Sequence, residues 1–198
     1  MIYASGSPPT RQAQHGHPVS ETFYTLRADW VRKYPGKTLP FYQEIREKHR
    51  DALVHKTITY SEVVSGTHTD NTLSVSHRWM TSSEPDPDGE QLKAIKNFLA
   101  SPKGLKIEYV WMDSPCMPQH QPDLGLNRTA EDTVAFKRML AQVNMLYLGT
   151  TVLILLDLSC TPPTGHRISV RTLYLLYFGV PSPTCRRAQM SPASGPSS

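Results

Sequence analysis

Two residues far apart in the chain, His77 and Asp113, are the pair whose types most directly offer chemistry. A histidine and an aspartate brought to neighbouring strand ends make either an acid–base couple or a hydrogen-bonded structural pair, and geometry decides between them. Arg78 carries a planar fork that fits a phosphate or a carboxylate, and serves equally as a solvated surface residue. Trp79 and Trp111 offer rings that stack on a flat ligand or bury a large area in a core. Cys116 is a nucleophile only beside an activating base or positive charge; with His120 it makes two ligands of an incomplete metal site. The default for it is a partly buried free thiol. Asp86 and Asp88 resemble the start of a calcium loop but lack the later bidentate glutamate, so they read as carboxylates favouring a helix start. Glu90 reads as a solvated first-turn carboxylate. These residues contain no complete metal-ligand set.

Elements must bring these side chains together. Residues 1–20, rich in Ser, Pro, Gly, Gln and His, read as a disordered tail. Phe23, Leu26 and Trp30 fall on one helical face that ends at Tyr34-Pro35-Gly36. A second helix is expected from Leu39-Pro40, with Tyr42, Ile45 and Leu53 on its apolar side. Thr59 and Glu62 have the spacing of a capping box opening a short helix to about Ser65. The stretch 21–68 is thus expected to be a helical extension.

The pattern then changes. Thr72–Ser76 reads as a strand, and a loop rich in Ser, Pro and Asp follows it. Asp88 is expected to cap the next helix with Gln91 as its partner, and Leu92, Ile95, Phe98 and Leu99 form that helix's buried face. A second strand covers 107–112 and leads into a proline-rich loop. Thr129 and Asp132 open a long helix with a buried stripe of Phe136, Met139, Leu140, Val143 and Tyr147, closed by Gly149. The apolar run 151–156 is the third strand, covered on both faces. Strands alternating with helices imply a parallel sheet with right-handed crossovers, and such sheets bind ligands at the carboxyl ends of their strands. Those ends are Ser76 to Trp79, Asp113 to Gln119, and Asp157 to Ser159.

The formal net charge of the 198 residues is +4, but Leu158 to Ser198 holds four arginines and no acidic residue. The rest is electrically balanced, so the basic patch that nucleic-acid binding requires is missing and that function is set aside. No apolar run approaches the roughly 18 residues of a membrane-spanning helix, and the N-terminus has no secretory pattern. Three scattered cysteines (Cys116, Cys160 and Cys185) make no disulfide framework. The expected setting is reducing, intracellular and cytoplasmic. Residues 159–198, with six prolines, read as an atypical basic Pro/Ser-rich tail, mostly disordered, with one apolar run at 173–180 that suits an added strand or helix.

Several of these segments together resemble a known family. SVSHRW (74–79), PDPDGEQL (85–92), VWMDSPCMPQ (110–119), the helix carrying ML, N and LYLG (139–149) and VLILLD (152–157) are similar to TIR-like intracellular proteins, closest in pattern to the heterokaryon-incompatibility (HET) domain. In HET domains a strand ending in a Ser-Tyr-x-Trp-like motif precedes one ending in Trp-x-Asp-x-x-Cys-x-x-Gln. Ser76, Trp79, Trp111, Asp113, Cys116 and Gln119 match those positions in order and type. The second motif is the more specific. The resemblance covers about residues 70–157, under half the chain.

It implies a three-layer, flavodoxin-like α/β domain over 70–158, self-association or pairing with other signalling domains, and in some members cleavage of NAD at the nicotinamide bond. NAD would then be a substrate, with no resident cofactor. The ligand-binding set would be Ser76, Arg78, Trp79, Cys116 and Gln119, with His77 and Asp113 catalytic. The sequence departs from the family after the third strand. NAD-cleaving members continue into a Tyr- and Trp-bearing stretch and a helix with a catalytic glutamate. Here Ser159-Cys160-Thr161-Pro162-Pro163 follows, with no glutamate beyond it, so the C-terminal part of the sheet is expected to be truncated or diverged. Three readings stay open: an NAD glycohydrolase, a non-catalytic interaction and oligomerisation module, or a truncated product with no independent activity.

Overall fold

The computed structural model describes residues 20–155 apart from Ser82, and beyond them the backbone of 158–160, 168–170 and 173–174. In chain order the elements are β1 (Ser20–Arg27), α1 (Ala28–Lys33), α2 (Tyr42–Lys48), β2 (Leu53–Thr59), α3 (Tyr60–Ser65), β3 (His68–His77), α4 (Glu90–Leu99), β4 (Tyr109–Trp111), α5 (Asp113–Cys116), α6 (Ala130–Ala141), α7 (Val143–Gly149) and β5 (Thr150–Leu155). Short strands β6 (Leu158–Cys160), β7 (Ile168–Val170) and β8 (Leu173–Tyr174) follow. The fold is mixed α/β. Its main sheet has six strands in the order β2-β1-β4-β3-β5-β8, and β6 pairs with β7 separately.

The three strands expected from the sequence form the parallel centre. β3 pairs in parallel with β4 through Leu73 opposite Val110 and Ser74 opposite Trp111, and with β5 through Ser74 opposite Val152 and Val75 opposite Leu153. The other pairings are antiparallel: β1 with β2, β1 with β4, and β5 with β8. Taken alone, the parallel strands lie in the order second, first, third. Right-handed crossovers to opposite sides of β3 place α4 on one face of the sheet and α6 with α7 on the other. The pleat agrees: Trp111 meets Tyr147 of α7 edge-on, with ring centroids 5.8 Å apart, and its neighbour Val110 faces the other way. Val110 joins Leu26, Leu73, Val75 and Leu153 in one apolar cluster with Leu92, Ile95 and Leu99 of α4. Each such side chain taken fully out of water contributes about 1.5–3 kcal/mol.

The stretch 21–68 is not a helical extension. β1 replaces the first half of the first expected helix, whose second half forms as α1; the second forms as α2 but stops at Lys48, and Leu53, expected on its apolar side, opens β2. Phe23 and Leu26, three apart, suit one helical face, but in β1 they point to opposite faces and both are fully buried. The long helix breaks at Gln142, where φ −117° and ψ 11° interrupt the α geometry, and Leu140 faces solvent. Both capping boxes form as expected, Thr59 with Glu62 and Thr129 with Asp132. Among the described residues no helix is long and apolar enough to cross a membrane. The expected N-terminal tail, Leu156 and Asp157 of the third strand, and the C-terminal tail apart from the backbone of β6, β7 and β8 lie outside the described residues.

Candidate functional site at the strand exits

β3 ends on His77, and β4 ends two residues before Asp113. Since these strands are adjacent and parallel, their exits stand side by side. His77 Nε2 lies 2.6 Å from Asp113 Oδ1. The Trp79 indole N–H donates to Asp113 Oδ2 at 3.1 Å, and the Ser114 amide donates to Oδ1 at 2.6 Å. Burial pushes the Asp113 carboxyl up, but the bonds and charge from His77, then Trp79 and Ser114, outweigh it and hold the group below its ordinary value of 3.8. Asp113 is therefore ionised at neutral pH and acts only as an acceptor, which places a proton on Nε2 of His77. The two partners differ in access: the His77 side chain is 2% exposed and that of Asp113 41%. The imidazole anchors, and the carboxylate faces out.

Two loops hold this arrangement. Gln119, expected to touch ligand, is buried and donates to the Asp113 carbonyl at 3.2 Å and the Met117 carbonyl at 2.8 Å. Gln43 of α2 clamps it in turn, donating to the Gln119 carbonyl at 2.6 Å and accepting the Gln119 amide at 3.3 Å. On the β3 side, Gln91 donates to the carbonyls of Arg78 and Pro85, each at 2.9 Å. Asp86, rather than Asp88, caps α4, taking the Gln91 and Leu92 amides on its two oxygens at 3.0 and 2.9 Å. Gly89 makes that cap possible: its φ is +76°, and a Cβ there would stand 2.5 Å from the Lys37 carbonyl.

Comparison with protein-family models, with characterised proteins and with solved structures returned no match.

Of the residues singled out in the sequence, the structure brings together His77, Trp79 and Asp113. Ser76 lies beside Tyr147, whose hydroxyl is pushed up by burial and by the Asp113 charge and pulled down by a bond from Ser76. The Arg78 side chain is exposed. Cys116, expected among the ligand contacts, is fully buried beneath the site, and burial pushes its thiol up to about 12. It is a core thiol, too protonated to act as a nucleophile. Trp111 is core, whereas Trp79 is half-buried and packs against Phe41 with ring centroids 6.1 Å apart. Among the described residues no cluster of three or more His, Cys, Asp or Glu is placed to hold a metal ion.

Sequence reasoning missed Phe41 and Gln43, and placed Tyr147 only in a buried stripe; Asp86 it read as a carboxylate favouring a helix start, as the structure has it. Phe41 and Gln43 had no local signal, because they reach the site across a tertiary contact. Below the site, Leu39, Pro85, Ile95 and Met112 line a crevice with about 10 Å³ open to the centre of a water molecule, room for one water. A larger ligand at this site has to lie over the outward side of Asp113 and Trp79.

Proposed function

We propose that this chain is a TIR/HET-like signalling domain of flavodoxin-like fold whose strand-exit site binds a NAD-like nucleotide. The observation that carries this reading is the meeting of His77, Asp113 and Trp79 at adjacent carboxyl ends of parallel strands. Trp79 and Asp113 are also positions of the HET-like motifs. Open α/β sheets hold nucleotides at this location, beside the point where the strand order reverses. The proposed setting is cytoplasmic, with self-association or other signalling domains as partners.

The outward-facing Asp113 carboxylate is the group suited to N-glycosidic cleavage. The bond from the ribosyl C1′ to the ring nitrogen breaks and its electron pair stays on the nitrogen, so the base leaves neutral. The cationic ribosyl centre is stabilised by the fixed negative charge. Water then adds to C1′ and releases its proton to solvent. His77 positions Asp113 in this scheme without touching substrate.

A second reading, a non-catalytic module, draws support from the burial of His77, which keeps its imidazole from acting as an acid or base on a bound molecule. Incubating the protein with NAD and following nicotinamide release separates the two. The first predicts turnover that falls at least tenfold in Asp113→Asn. The second predicts binding and concentration-dependent assembly with no turnover. The absence of both binding and turnover overturns the nucleotide reading.

A further inference from the structure

We infer that the outer face of Trp79 and the Asp113 carboxylate form a clamp for a flat organic cation, one whose positive charge resides on the ring itself. This deepens the nucleotide reading and rests on it for the class of ligand, a ring-charged N-substituted heterocycle of the pyridinium type.

Three observations select a cation. First, the Asp113 side chain is 41% exposed, and among the described residues no lysine or arginine lies within 4 Å of its carboxylate. Its hydrogen bonds come from His77, Trp79 and the Ser114 amide, which orient the charge and leave lone-pair capacity on Oδ2, where Trp79 is the one donor among the described residues. Second, Trp79 is tied to that carboxylate through its N–H at 3.1 Å and backed by Phe41, which fixes an indole face beside the charge. A cation over an indole face is attracted by the ring quadrupole, and a nearby carboxylate adds to that attraction.

Third, the site is unsuited to an anion. The N-terminus of α4, where a phosphate would otherwise find free amides, is already filled by the Asp86 carboxylate. The loop from Arg78 to Gly89 carries one arginine against Glu84, Asp86 and Asp88. The clamp thus grips the charged ring of a nucleotide such as NAD and leaves its phosphates toward solvent.

The test titrates full-length protein with two probes of nearly the same shape, 1-methylnicotinamide (charged ring) and nicotinamide (neutral ring). The readout is the Trp79 indole N–H resonance, assigned by substitution among the three tryptophans. The expected result is binding of the charged probe at least tenfold tighter than the neutral one. In Asp113→Asn, the preference falls to about twofold or less. Because wild type alone supplies the first comparison, the test holds even if the variant folds poorly.

Equal affinity for the two rings, or a Trp79 resonance that moves with neither, overturns the clamp. Its failure and that of the nucleotide reading are distinguishable. NAD binding or cleavage without charge preference removes the clamp alone, and a charge preference without NAD binding removes the nucleotide alone.

Discussion

At the exit of β3, His77 stands 2.6 Å from an ionised carboxylate; at its entrance, His68 stands 3.5 Å from Glu62, and neither of its ring nitrogens has a hydrogen-bond partner. Both histidines are well covered and both adjoin an acid, so the difference lies in what else the acid does. Glu62 is committed to the cap of α3, taking the Thr59 amide and the Thr59 hydroxyl, each at 2.8 Å, on the same oxygen that faces His68. Asp113 takes a single backbone bond, the Ser114 amide, on the oxygen that faces its histidine, and that oxygen comes to 2.6 Å from the imidazole. Burial and then the nearby Lys56 charge lower the His68 pKa, with Glu62 opposing only in part. The carboxylate spent on a helix cap leaves its histidine as a buried neutral ring, whereas the one at the strand exit holds its histidine by a hydrogen bond.

The largest effect expected from breaking this comparison is that of Asp113→Ala. It leaves the buried His77 Nε2 and the Trp79 N–H without acceptors, at a cost of about 3 kcal/mol, read as a lowered urea midpoint. Next comes the matched pair His77→Leu and His68→Leu. The first strips Asp113 of its main donor and costs about 1–2 kcal/mol, while the second replaces an unsatisfied ring by an apolar group and is neutral or stabilising.

The third prediction is a pH window. A histidine whose folded pKa lies below its ordinary 6.5 contributes stability above that value and loses it as pH falls toward the folded pKa. The wild type therefore weakens as pH drops below about 6.5, and His68→Leu flattens that slope. The Asp113 contribution, with the folded pKa below 3.8, persists through this window and is lost only in stronger acid. Denaturation midpoints from pH 7 to pH 3 separate the two. The smallest effect is that of Trp79→Phe, which keeps a ring but removes one donor to Asp113 and costs about 0.5–1 kcal/mol.

The parallel centre of the fold was legible because β5 is apolar from Val152 onward and β3 and β4 carry β-rich runs next to capped helices. The two N-terminal strands were not. Glu21 and Thr25 are polar yet buried in β1, and Glu21 is buried through an ion pair with Arg138, 2.7 Å away and distant in sequence. No local pattern announces such a partner, so the apolar residues that remained fitted a helix. The site divides the same way. His77, Trp79 and Asp113 stood out as chemistry at strand ends, but Phe41 and Gln43 reach the site from α2 and its cap across a tertiary contact. Cys116 matched a motif position while serving the core, since a motif records which residue is present and burial decides what it does.

The central claim is that the exit of β3 is the ligand site and its entrance is structure. It is tested most directly by titrating NAD into isotope-labelled protein and following the His77 and His68 imidazoles together with the Trp79 indole. The account predicts saturable shifts of His77 and Trp79 with His68 unmoved. Shifts confined to His68, or none at any of the three, contradict it.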